Sequence, residues 1–545
     1  MTIKLRIYQT DLTGTHFRQP QTFETEPGRL TDLLEQQQIH LPNSCGGLGR
    51  CGKCRVMILK KSSPDYKLWR NRKKPAYQEV CGAIPSSPAC QIFLHESALI
   101  FLHKPGEIAT ASSRPIITSA AQRQFALAVD LGSTNIDGLL LDLESGTVSA
   151  PCSVRNPQTE YGADIVSRLG TVVSRKFSAD DCRRKTHEAI RELVHTLAYH
   201  ESVPETAVTA SVRKAVVAGN SVVTYLFLGI DPHTMTVPPY EPAALDFASR
   251  PASSCGFPLA EKGKMIPVPL LGGLVGGDLV AGIFALETNP EYGFTFGQAG
   301  PELLLDVGTN SEMLLFKDGK IYVSQAAAGP VFEGDTLSCG SCAKPNAIGH
   351  LRITGDGPLS SLPPSQIPMR MEYETFAPSD QLPCGLAGSA VIDITAELLR
   401  TGDLDSSGKL KREIPITPDL RLTQKDVRQI QLALGAIRAG MAVLFEAAGT
   451  TWQDLKTLYL AGGLGNGIDF EKAQRVGLFP KEFDSARFIP CGNTSLQGAL
   501  AVLRNEELLK SVRTLREKTQ LVPLGGNPRF RDEFLRAMAL PKSKG

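Results

Sequence analysis

The chain has 545 residues, which is too long for a single hydrophobic core and predicts about two to four domains. With 42% hydrophobic and 21% charged residues and a net charge of +2, the composition is typical of a globular protein and gives no reason to expect nucleic acid or a membrane as a partner. The start lacks the pattern of a secretory signal, and glycines and Asp278 interrupt the longest apolar stretch, 270–286. A cytoplasmic location is therefore expected.

Residues 1–98 are predicted to form a small domain built from strands. The alternating start MTIKLRIYQTDL and the runs 55–59 and 91–95 predict strands, and 30–38 predicts a short helix. This order is similar to that of a small β-grasp domain. The following stretch, 99–124, contains Ser and Pro and has no periodicity, which predicts an interdomain linker.

Four cysteines in this first domain have the spacing of an iron–sulfur site. Cys45, Cys51 and Cys54 lie in the string CGGLGRCGKC, and Cys81 follows in EVCGAI. The spacing C-x5-C-x2-C with a distant fourth cysteine is one residue longer than that of plant-type ferredoxins. It resembles the adrenodoxin-type variant, which implies one [2Fe-2S] cluster held by these four thiolates. Glycines between the cysteines let backbone NH groups approach the sulfides.

Other interpretations of this region stay open. Unrelated buried thiols or a zinc knuckle would use the same residues, although zinc ligands usually come in two C-x-x-C pairs. Cys90 is the rival for the fourth ligand, but it begins the apolar run CQIFLHE, whereas Cys81 has a turn-like context. The basic stretch 60–75 is either a solvated loop or a docking surface for an acidic redox partner.

Beyond the linker, strand-like and helical patterns alternate, which predicts α/β architecture. Strands are predicted at 125–129, 139–143 and 215–217, and a helix is predicted at 180–200. The second half repeats this theme with the strand-like strings LLLDVG, EMLLF, IYVSQA and LKTLYLAGG.

Two long helices, 387–400 and 423–449, are predicted between those strings. The repetition predicts two related lobes, 125–300 and 301–516, followed by a C-terminal tail, 517–545, that packs partly and frays at its end.

Two strand–turn–strand segments carry the same short string. Asp130 ends the first strand of AVDLGSTNIDGLLL, and Asp306 has the same position in LLLDVGTNSEMLLF, about 175 residues later. Such turns offer backbone NH and hydroxyl groups to phosphate oxygens, and the carboxylate can hold Mg²⁺ or its water. A third segment, LYLAGGLGNGIDF, lets the backbone approach a ring or a ribose. Each loop alone can be a structural turn, but the three together predict a nucleotide site.

The order of these loops resembles the ASKHA superfamily of acetate and sugar kinases, heat-shock chaperone ATPases and actin. The resemblance implies a cleft between two lobes that binds ATP with Mg²⁺. It makes Asp130, Asp278 and Asp306 the candidate catalytic carboxylates, although a role for Asp278 as the cap of a glycine-rich helix start is nearly as well supported. The implied nucleotide contacts are Gly132, Ser133 and Thr134 in the phosphate-1 loop, Gly308, Thr309 and Asn310 in the phosphate-2 loop, and Gly462, Gly463 and Gly465 in the adenosine loop.

A ferredoxin-type domain fused to an ASKHA ATPase resembles one family, the ATP-dependent reductive activators of corrinoid proteins. The strings AGNSVVTYLFLGIDP, AAGPVFEGDTLSCGSC, LPCGLAGSAVID, AGGLGNGIDFEKAQRVGLFP and CGNTSLQGA carry the resemblance over most of the chain. It implies that a corrinoid protein inactivated as Co(II) is returned to Co(I) by one electron from an upstream donor. It also suggests a homodimer through the ASKHA part. Asp335 and Cys342 depart from the small residues usual in that family.

Two functions from other classes compete with this one. A kinase of a small metabolite with an appended redox sensor would form a phosphorylated product. An electron carrier regulated by nucleotide would turn over ATP without responding to a corrinoid protein. Cys339 and Cys342 form a C-x-x-C pair, which suggests a metal or redox role. No second pair lies nearby in sequence, and a Gly/Ser-rich loop can contain cysteines that have neither role.

Overall fold

The structure is a computed structural model, and the chain divides into two compact units, Met1–Ile108 and Ala109–Gly545. The first unit is described at residues 3–9, 21–26, 28–29, 55–60, 86–88, 93–94 and 98–102. The second is described at 124–541, with gaps at 163–164, 175–177, 202–207, 209, 238–240, 274, 297–299, 335, 345, 377–381, 463 and 465–466.

The described part of the first unit is a mixed β-sheet with strand order β2-β1-β7-β4-β5, accompanied by a separate β3–β6 pair. Its strands are β1 Ile3–Gln9, β2 Gln21–Thr25, β3 Gly28–Arg29, β4 Arg55–Lys60, β5 Ser86–Pro88, β6 Phe93–Leu94 and β7 Ala98–Leu102. β1 runs parallel to β7 and antiparallel to β2, and alternate side chains of the two central strands are buried: Leu5, Ile7, Ala98 and Ile100. This alternation is the reason that the predicted strand at the start forms.

The sequence boundary at residue 98 falls at the first residue of β7, and the first unit extends to Ile108. The apolar run ALIFL therefore belongs to the centre of the sheet rather than to the linker. The predicted helix 30–38 and the cysteines Cys45, Cys51, Cys54, Cys81 and Cys90 lie outside the described residues, as does the basic stretch after its first residue, Lys60.

The second unit contains two six-stranded sheets with matching strand orders, β10-β9-β8-β11-β13-β12 and β22-β21-β14-β15-β16-β23. The strands of the first lobe are β8 Phe125–Leu131, β9 Asn135–Asp142, β10 Cys152–Arg155, β11 Val212–Gly219, β12 Arg250–Pro251 and β13 Lys264–Pro267. Those of the second lobe are β14 Glu302–Val307, β15 Ser311–Lys317, β16 Lys320–Ala326, β17 Ile348–Ile353, β18 Met371–Thr375, β19 Ile414–Pro415, β20 Arg421–Leu422, β21 Thr457–Gly462, β22 Arg487–Gly492 and β23 Thr519–Leu521.

Each lobe begins with three antiparallel strands and continues with two strands parallel to the first. β8 pairs antiparallel with β9 and parallel with β11, and β14 pairs antiparallel with β15 and parallel with β21. β8 and β14 are central and buried along most of their length, which is why their sequences are almost continuously apolar. The predicted repetition of two α/β lobes is thus confirmed.

Helices follow the strands at corresponding positions of the two lobes. They are α1 Ile165–Val173, α2 Ala179–His200, α3 Ser221–Leu228 and α4 Gly277–Thr288 in the first lobe, and α5 Gly388–Thr401, α6 Gln424–Ala447, α7 Phe470–Arg475, α8 Thr494–Arg504, α9 Val512–Lys518 and α10 Pro528–Ala537 in the second. Capping boxes begin the two longest helices: Ser178 with Asp181 for α2, and Thr423 with Asp426 for α6.

Among the described residues, α6 is the one helix long and apolar enough to cross a membrane by length and composition. About 72% of its most apolar stretch is buried inside the protein, as expected of a core helix. α10 and strand β23 belong to the region predicted as a tail, and β23 pairs in parallel with β16. Only 542–545 of that tail lie outside the described residues.

Helices α4 and α8 cross at very close range and join the two lobes. A Cβ atom built on Gly498 of α8 would lie 1.8 Å from the carbonyl oxygen of Ala281 in α4 and 2.3 Å from its carbonyl carbon. The apolar cluster around this crossing contains residues of both sheets, among them Ala128 and Leu304. The two lobes therefore share one core where these helices meet.

Candidate functional site

The two predicted phosphate turns face each other across the lobes. Gly132–Thr134 connects β8 to β9, and Gly308–Asn310 connects β14 to β15. The hydroxyl oxygens of Thr134 and Thr309 are 3.0 Å apart and hydrogen-bonded, although 175 residues separate them in sequence. The fold thus brings the first two predicted loops together.

Three side chains from other segments support the phosphate-1 loop. Asn156 Nδ2 donates to the carbonyl oxygen of Gly132 at 2.7 Å, and Asn220 Nδ2 donates to the hydroxyl of Ser133 at 3.3 Å. The fully buried Arg168 donates from its guanidinium to the carbonyl oxygens of Ser133 and Gly162. The carbonyl oxygens of Gly132 and Ser133 therefore both accept hydrogen bonds from side chains of the protein.

Each turn carries a pair of carboxylates on its flanking strands. Asp130 on β8 is directly opposite Asp137 on β9, and Asp306 on β14 is directly opposite Glu312 on β15. The charge of Asp278 contributes to the raised pKa of both Asp130 and Asp306, which indicates that it lies within electrostatic reach of both. The three predicted carboxylates are thus brought together, and each hairpin adds a second acid.

Asp278 is not the helix cap that the sequence left open. The N-cap of α4 is Gly276, and Asp278 is the second residue of the helix, where its Oδ1 accepts a hydrogen bond from the backbone NH of Leu279 at 2.8 Å. Its carboxylate therefore remains available to the cluster of acids.

The N-terminus of α8 holds the Asp130 side of the cluster. Asn493 Nδ2 donates to Asp130 Oδ2 at 2.8 Å and to Asp137 Oδ2 at 3.0 Å, and Ser495 Oγ donates to Asp130 Oδ1 at 2.7 Å. Asn493 is also the N-cap of α8 and accepts from the backbone NH of Leu496. The string CGNTSLQGA thus has a structural role, which is to orient the first carboxylate pair.

Burial raises the pKa values of these acids above those of exposed carboxyl groups. It raises the pKa of Asp130 to about 8, with the charge of Asp137 adding to the shift and hydrogen bonds from Ser495 and Asn493 opposing it. Burial raises the pKa of Asp306 to about 7, helped by Asp278 and Glu333, and the pKa of Asp278 to about 6. Such shifts are frequent where a cation or developing charge completes a site.

The second acids of the two hairpins have raised pKa values for the same reason. Burial is the main cause for Asp137, with a contribution from the charge of Glu333. Burial also raises the pKa of Glu312 well above its usual range, followed by the charges of Asp278 and Asp306. A positive charge entering this cluster would therefore favour ionisation of several acids at once.

Glu333, which follows β16, contacts the phosphate-2 loop directly. Its Oε1 accepts from the backbone NH of Thr309 at 2.5 Å and from the hydroxyl of Thr309 at 2.9 Å. Its charge also raises the pKa of Asp137 and Asp306, one on each side of the cleft. This residue belongs to the site although no pattern in the sequence assigned it there.

The predicted adenosine loop begins beside the phosphate-2 hairpin. Gly462 ends β21 with φ of 82°, and a Cβ built on it would lie 2.4 Å from Oδ1 of Asp306. Only glycine permits both the left-handed conformation and this approach. Gly463 and Gly465 lie outside the described residues.

The residues present fit a magnesium-bound nucleoside triphosphate. Asn310 is buried, and within the described residues its Nδ2 has no hydrogen-bond partner, as expected of a donor meant for a phosphate oxygen. No group of three or more His, Cys, Asp or Glu side chains in the described ranges is arranged to enclose a metal ion alone. Mg²⁺ would thus take most of its ligands from phosphate and water, as it commonly does.

Sequence reasoning found the turns and their first acids but missed Asp137, Glu312, Asn156, Arg168, Asn220, Glu333, Asn493 and Ser495. A usable signal existed for Asp137 and Glu312, because an antiparallel hairpin places an acid six or seven residues after the first one directly opposite it. The other residues come from distant segments, and only the folded chain brings them to the turns.

The C-x-x-C pair does not form a metal group with any third ligand in the part of the chain that the structure describes. Cys339 is buried, and burial followed by the charge of Asp426 raises the pKa of its thiol. The thiolate that metal binding or nucleophilic chemistry requires is therefore disfavoured there. Cys342 is half-buried, and Asp335 lies outside the described residues.

The raised pKa values predict a pH-dependent stability for the nucleotide-free protein. An acid whose pKa is about 8 when folded and 3.8 when unfolded stabilises the fold most below pH 3.8, and this contribution is lost as the pH rises to about 8. Urea unfolding followed by circular dichroism should therefore show a free energy of unfolding that falls between pH 5 and 8. Asp130→Asn, which resembles the protonated acid, should flatten this fall; an identical slope in the variant would contradict the assignment.

Models of known domains match nearly the whole chain. Residues 15–95 match the 2Fe-2S iron-sulfur cluster binding domain, residues 125–290 match the RACo middle region, and residues 300–545 match the C-terminal domain of RACo, described as the ASKHA domain. These matches confirm the predicted fold class and the predicted cofactors, a [2Fe-2S] cluster and ATP. The individual ligand residues stay predictions.

Two characterised proteins are similar over most of the chain. Corrinoid activation enzyme RamQ of Eubacterium limosum is 27% identical over 440 residues, which cover 75% of this chain and 69% of that protein. The [Co(II) methylated amine-specific corrinoid protein] reductase of Methanosarcina barkeri is 26% identical over 422 residues, which cover 72% of each chain.

A solved structure extends the similarity to the overall fold. The reductive activator for corrinoid, iron-sulfur protein aligns with a TM-score of 0.68 and 23% identity, and the alignment covers 99% of this chain and 98% of the other. At this identity the likeness establishes a common fold.

Proposed function

We propose that this chain, which belongs to the RACo-type family of ATP-dependent reductive activators, transfers one electron to an inactive corrinoid protein. The transfer reduces the cobalt of that protein from Co(II) to Co(I). The electron comes from an upstream donor, and the transfer is driven by the binding or hydrolysis of ATP. The observation that carries the proposal is the pair of opposed phosphate turns in a polypeptide that also contains an iron–sulfur domain. The corrinoid substrate is inferred from the two curated relatives.

The N-terminal domain supplies the electron chemistry. A [2Fe-2S] cluster accepts and donates single electrons, and plant-type clusters do so near −400 mV. For each 100 mV that an acceptor lies below its donor, transfer of one electron costs about 2.3 kcal/mol. An energy source is therefore needed when the cobalt couple lies lower, and the second unit provides a site for it.

The residues of the cleft have separate tasks in this proposal. Thr134, Thr309 and Asn310 donate hydrogen bonds to phosphate oxygens. Asp130 and Asp306 would hold Mg²⁺ or its waters from opposite lobes. Because the two acids belong to different lobes, their contacts to a bound cation would favour one relative arrangement of the lobes, and a ligand can shift a protein only through such a difference in affinity.

We further propose that the surface that binds the corrinoid protein lies on the ASKHA part. The corrinoid protein and the electron donor would both belong to the methyl-transfer system that this chain serves. Homodimerisation through the ASKHA part and a cytoplasmic location stay predictions. A metabolite kinase and a nucleotide-regulated electron carrier are the alternatives that the following experiment separates.

The test is anaerobic absorbance of a Co(II) corrinoid protein mixed with the activator and a chemical reductant, with and without Mg-ATP. We expect the Co(I) band to appear only when Mg-ATP is present. Asp306→Asn should keep the absorbance of the cluster and lose the ATP-dependent band, by about a hundredfold or more in rate, since the Mg²⁺ contact contributes several kcal/mol.

Three results would contradict the proposal. If the cluster is reduced normally but several corrinoid proteins remain Co(II), the acceptor is a different molecule. If ATP turnover yields a phosphorylated metabolite, the chain is a kinase. Equal Co(I) formation with and without ATP would remove the energetic role of the second unit.

A further inference from the structure

The phosphate-2 loop already has an anionic oxygen bound to its donors. Glu333 Oε1 accepts both the backbone NH and the hydroxyl of Thr309, the two groups of this residue that would bind phosphate. Since the Thr309 hydroxyl donates to Glu333, it is the Thr134 hydroxyl that donates across the 3.0 Å contact to Thr309. One carboxylate oxygen thus orients the hydroxyl groups of both turns.

We propose that Glu333 is an internal substitute for a phosphate group, which occupies the phosphate-2 loop in the nucleotide-free protein and must be displaced by ATP. The inference rests on the proposed nucleotide function and adds a residue that regulates it. A carboxylate oxygen has the charge and the hydrogen-bonding capacity of a phosphate oxygen, and donors paired with a charged acceptor bind it more strongly than a neutral one.

Glu333 and a phosphate group compete for the same two donors of Thr309, so the two anions are expected to alternate. Glu333 lies close enough to Asp137 and Asp306 to raise the pKa of both. A triphosphate entering beside these acids while Glu333 stayed would add negative charge to an already unfavourable group. Departure of Glu333 releases both donors of Thr309 and removes one negative charge from the cleft.

The backbone close to Glu333 has an unfavourable conformation. Glu333 lies in a tight turn, in which its NH donates to the carbonyl oxygen of Pro330 at 3.2 Å. Thr336, three residues later, has φ of 73°, a left-handed conformation that is unfavourable for a β-branched residue. Within the described residues its buried hydroxyl has no hydrogen-bond partner. Movement of this turn would relieve both features.

Fixed points on either side limit the movement to a short stretch. Before it, the NH of Gly329 donates to the carbonyl oxygen of Thr309 at 2.8 Å. After it, the carboxylate of Asp426 accepts from the NH and hydroxyl of Ser338, each at 2.7 Å, and the same carboxylate caps α6. Any change of the backbone on displacement of Glu333 is therefore expected between these two fixed points.

The test measures nucleotide affinity of the full-length, cluster-containing protein, without a corrinoid partner. Isothermal titration with Mg²⁺ and a non-hydrolysable ATP analogue is compared for wild type, Glu333→Gln, Glu333→Ala and the exposed control Glu413→Gln. Both Glu333 variants should bind about 10 to 100 times more tightly, because hydrogen bonds to a charged group of this kind contribute about 1.5 to 3 kcal/mol. The control should bind as wild type does.

Hydrogen–deuterium exchange of the wild-type protein provides a readout that needs no variant. Addition of the analogue should change the exchange of amides in 330–337 and leave β18 unchanged. Unaltered or weaker binding by Glu333→Gln, or unaltered exchange in 330–337, would overturn the role of Glu333 while the nucleotide site stands. Failure of every variant and of wild type to bind the analogue would overturn the nucleotide site itself.

Discussion

Gly498→Ala should force the two lobes apart and abolish nucleotide binding. The added Cβ would lie 1.8 Å from a backbone oxygen of α4, so no side-chain rotation can relieve the overlap and one helix must move. Overpacking of a well-packed core costs about 1 to 3 kcal/mol, and a clash with backbone on both sides is expected at or above the upper end of that range. Thermal or urea unfolding measures this loss.

The functional loss should exceed the loss of stability. Gly498 lies one turn after Ser495, which with the helix cap Asn493 holds Asp130 in place, while α4 carries Asp278 in its first turn. Separation of α4 from α8 therefore moves acids on both sides of the cleft. Titration with Mg-ATP analogue should detect no binding even at temperatures where the variant is still folded.

Gly170→Ala is the matched control for this variant. Gly170 is also a helical glycine, in α1, but a Cβ added there meets nothing within 4 Å. The substitution should leave nucleotide binding intact and raise stability by about 0.5 to 1 kcal/mol, since alanine is the better helix former. Nucleotide binding by Gly498→Ala at the wild-type level would show that the crossing of α4 and α8 does not position the site.

Replacement of a single cluster ligand should remove the iron–sulfur centre entirely. Cys51→Ser is expected to lose the visible absorbance of the cluster, most of its iron and all ATP-dependent Co(I) formation, because thiolates hold such clusters and a site in the middle of C-x5-C-x2-C has no substitute nearby. Nucleotide binding by the second unit should persist, since the domain matches place it in a separate part of the chain.

The fourth ligand is decided by a pair of variants. Cys81→Ser should behave as Cys51→Ser does, whereas Cys90→Ser should retain iron, absorbance and activity. The reverse result would make Cys90 the ligand. Retention of zinc instead of iron and sulfide in the purified wild-type protein would replace the cluster with a zinc site.

The parts of the site found by sequence reasoning are those encoded within a short stretch of chain. A strand, a turn and a returning strand lie within about 20 residues, so Asp130 and Asp306 were identified together with the turns that follow them. Helices α2, α5 and α6 were also predicted to within one or two residues at each end, because their apolar periodicity is long.

The parts that were missed depend on distant contacts or on backbone approach. Asn493 and Ser495 reach Asp130 across more than 360 residues of sequence, and nothing near either string indicates that pairing. All of strand β7 after Ala98 falls within the predicted linker, because a short apolar run at a domain edge lacks flanking turn signals. The close contact of Gly498 with α4 was also not predicted, because the sequence does not distinguish a glycine at a helix crossing from a glycine that only weakens a helix.

The hydrogen bonds from α8 to the first hairpin also constrain how the protein is made. Asp130 is separated from Asn493 by 363 residues, so a ribosome adding about 5 to 20 residues per second needs roughly 20 to 70 s between synthesis of the acid and synthesis of its partner. During that time the first sheet cannot bury the acid with its final partners, and the apolar surface that α4 presents to α8 is uncovered. The nascent first lobe therefore stays incompletely folded until α8 has been synthesised. We expect chaperones to bind the chain during this interval.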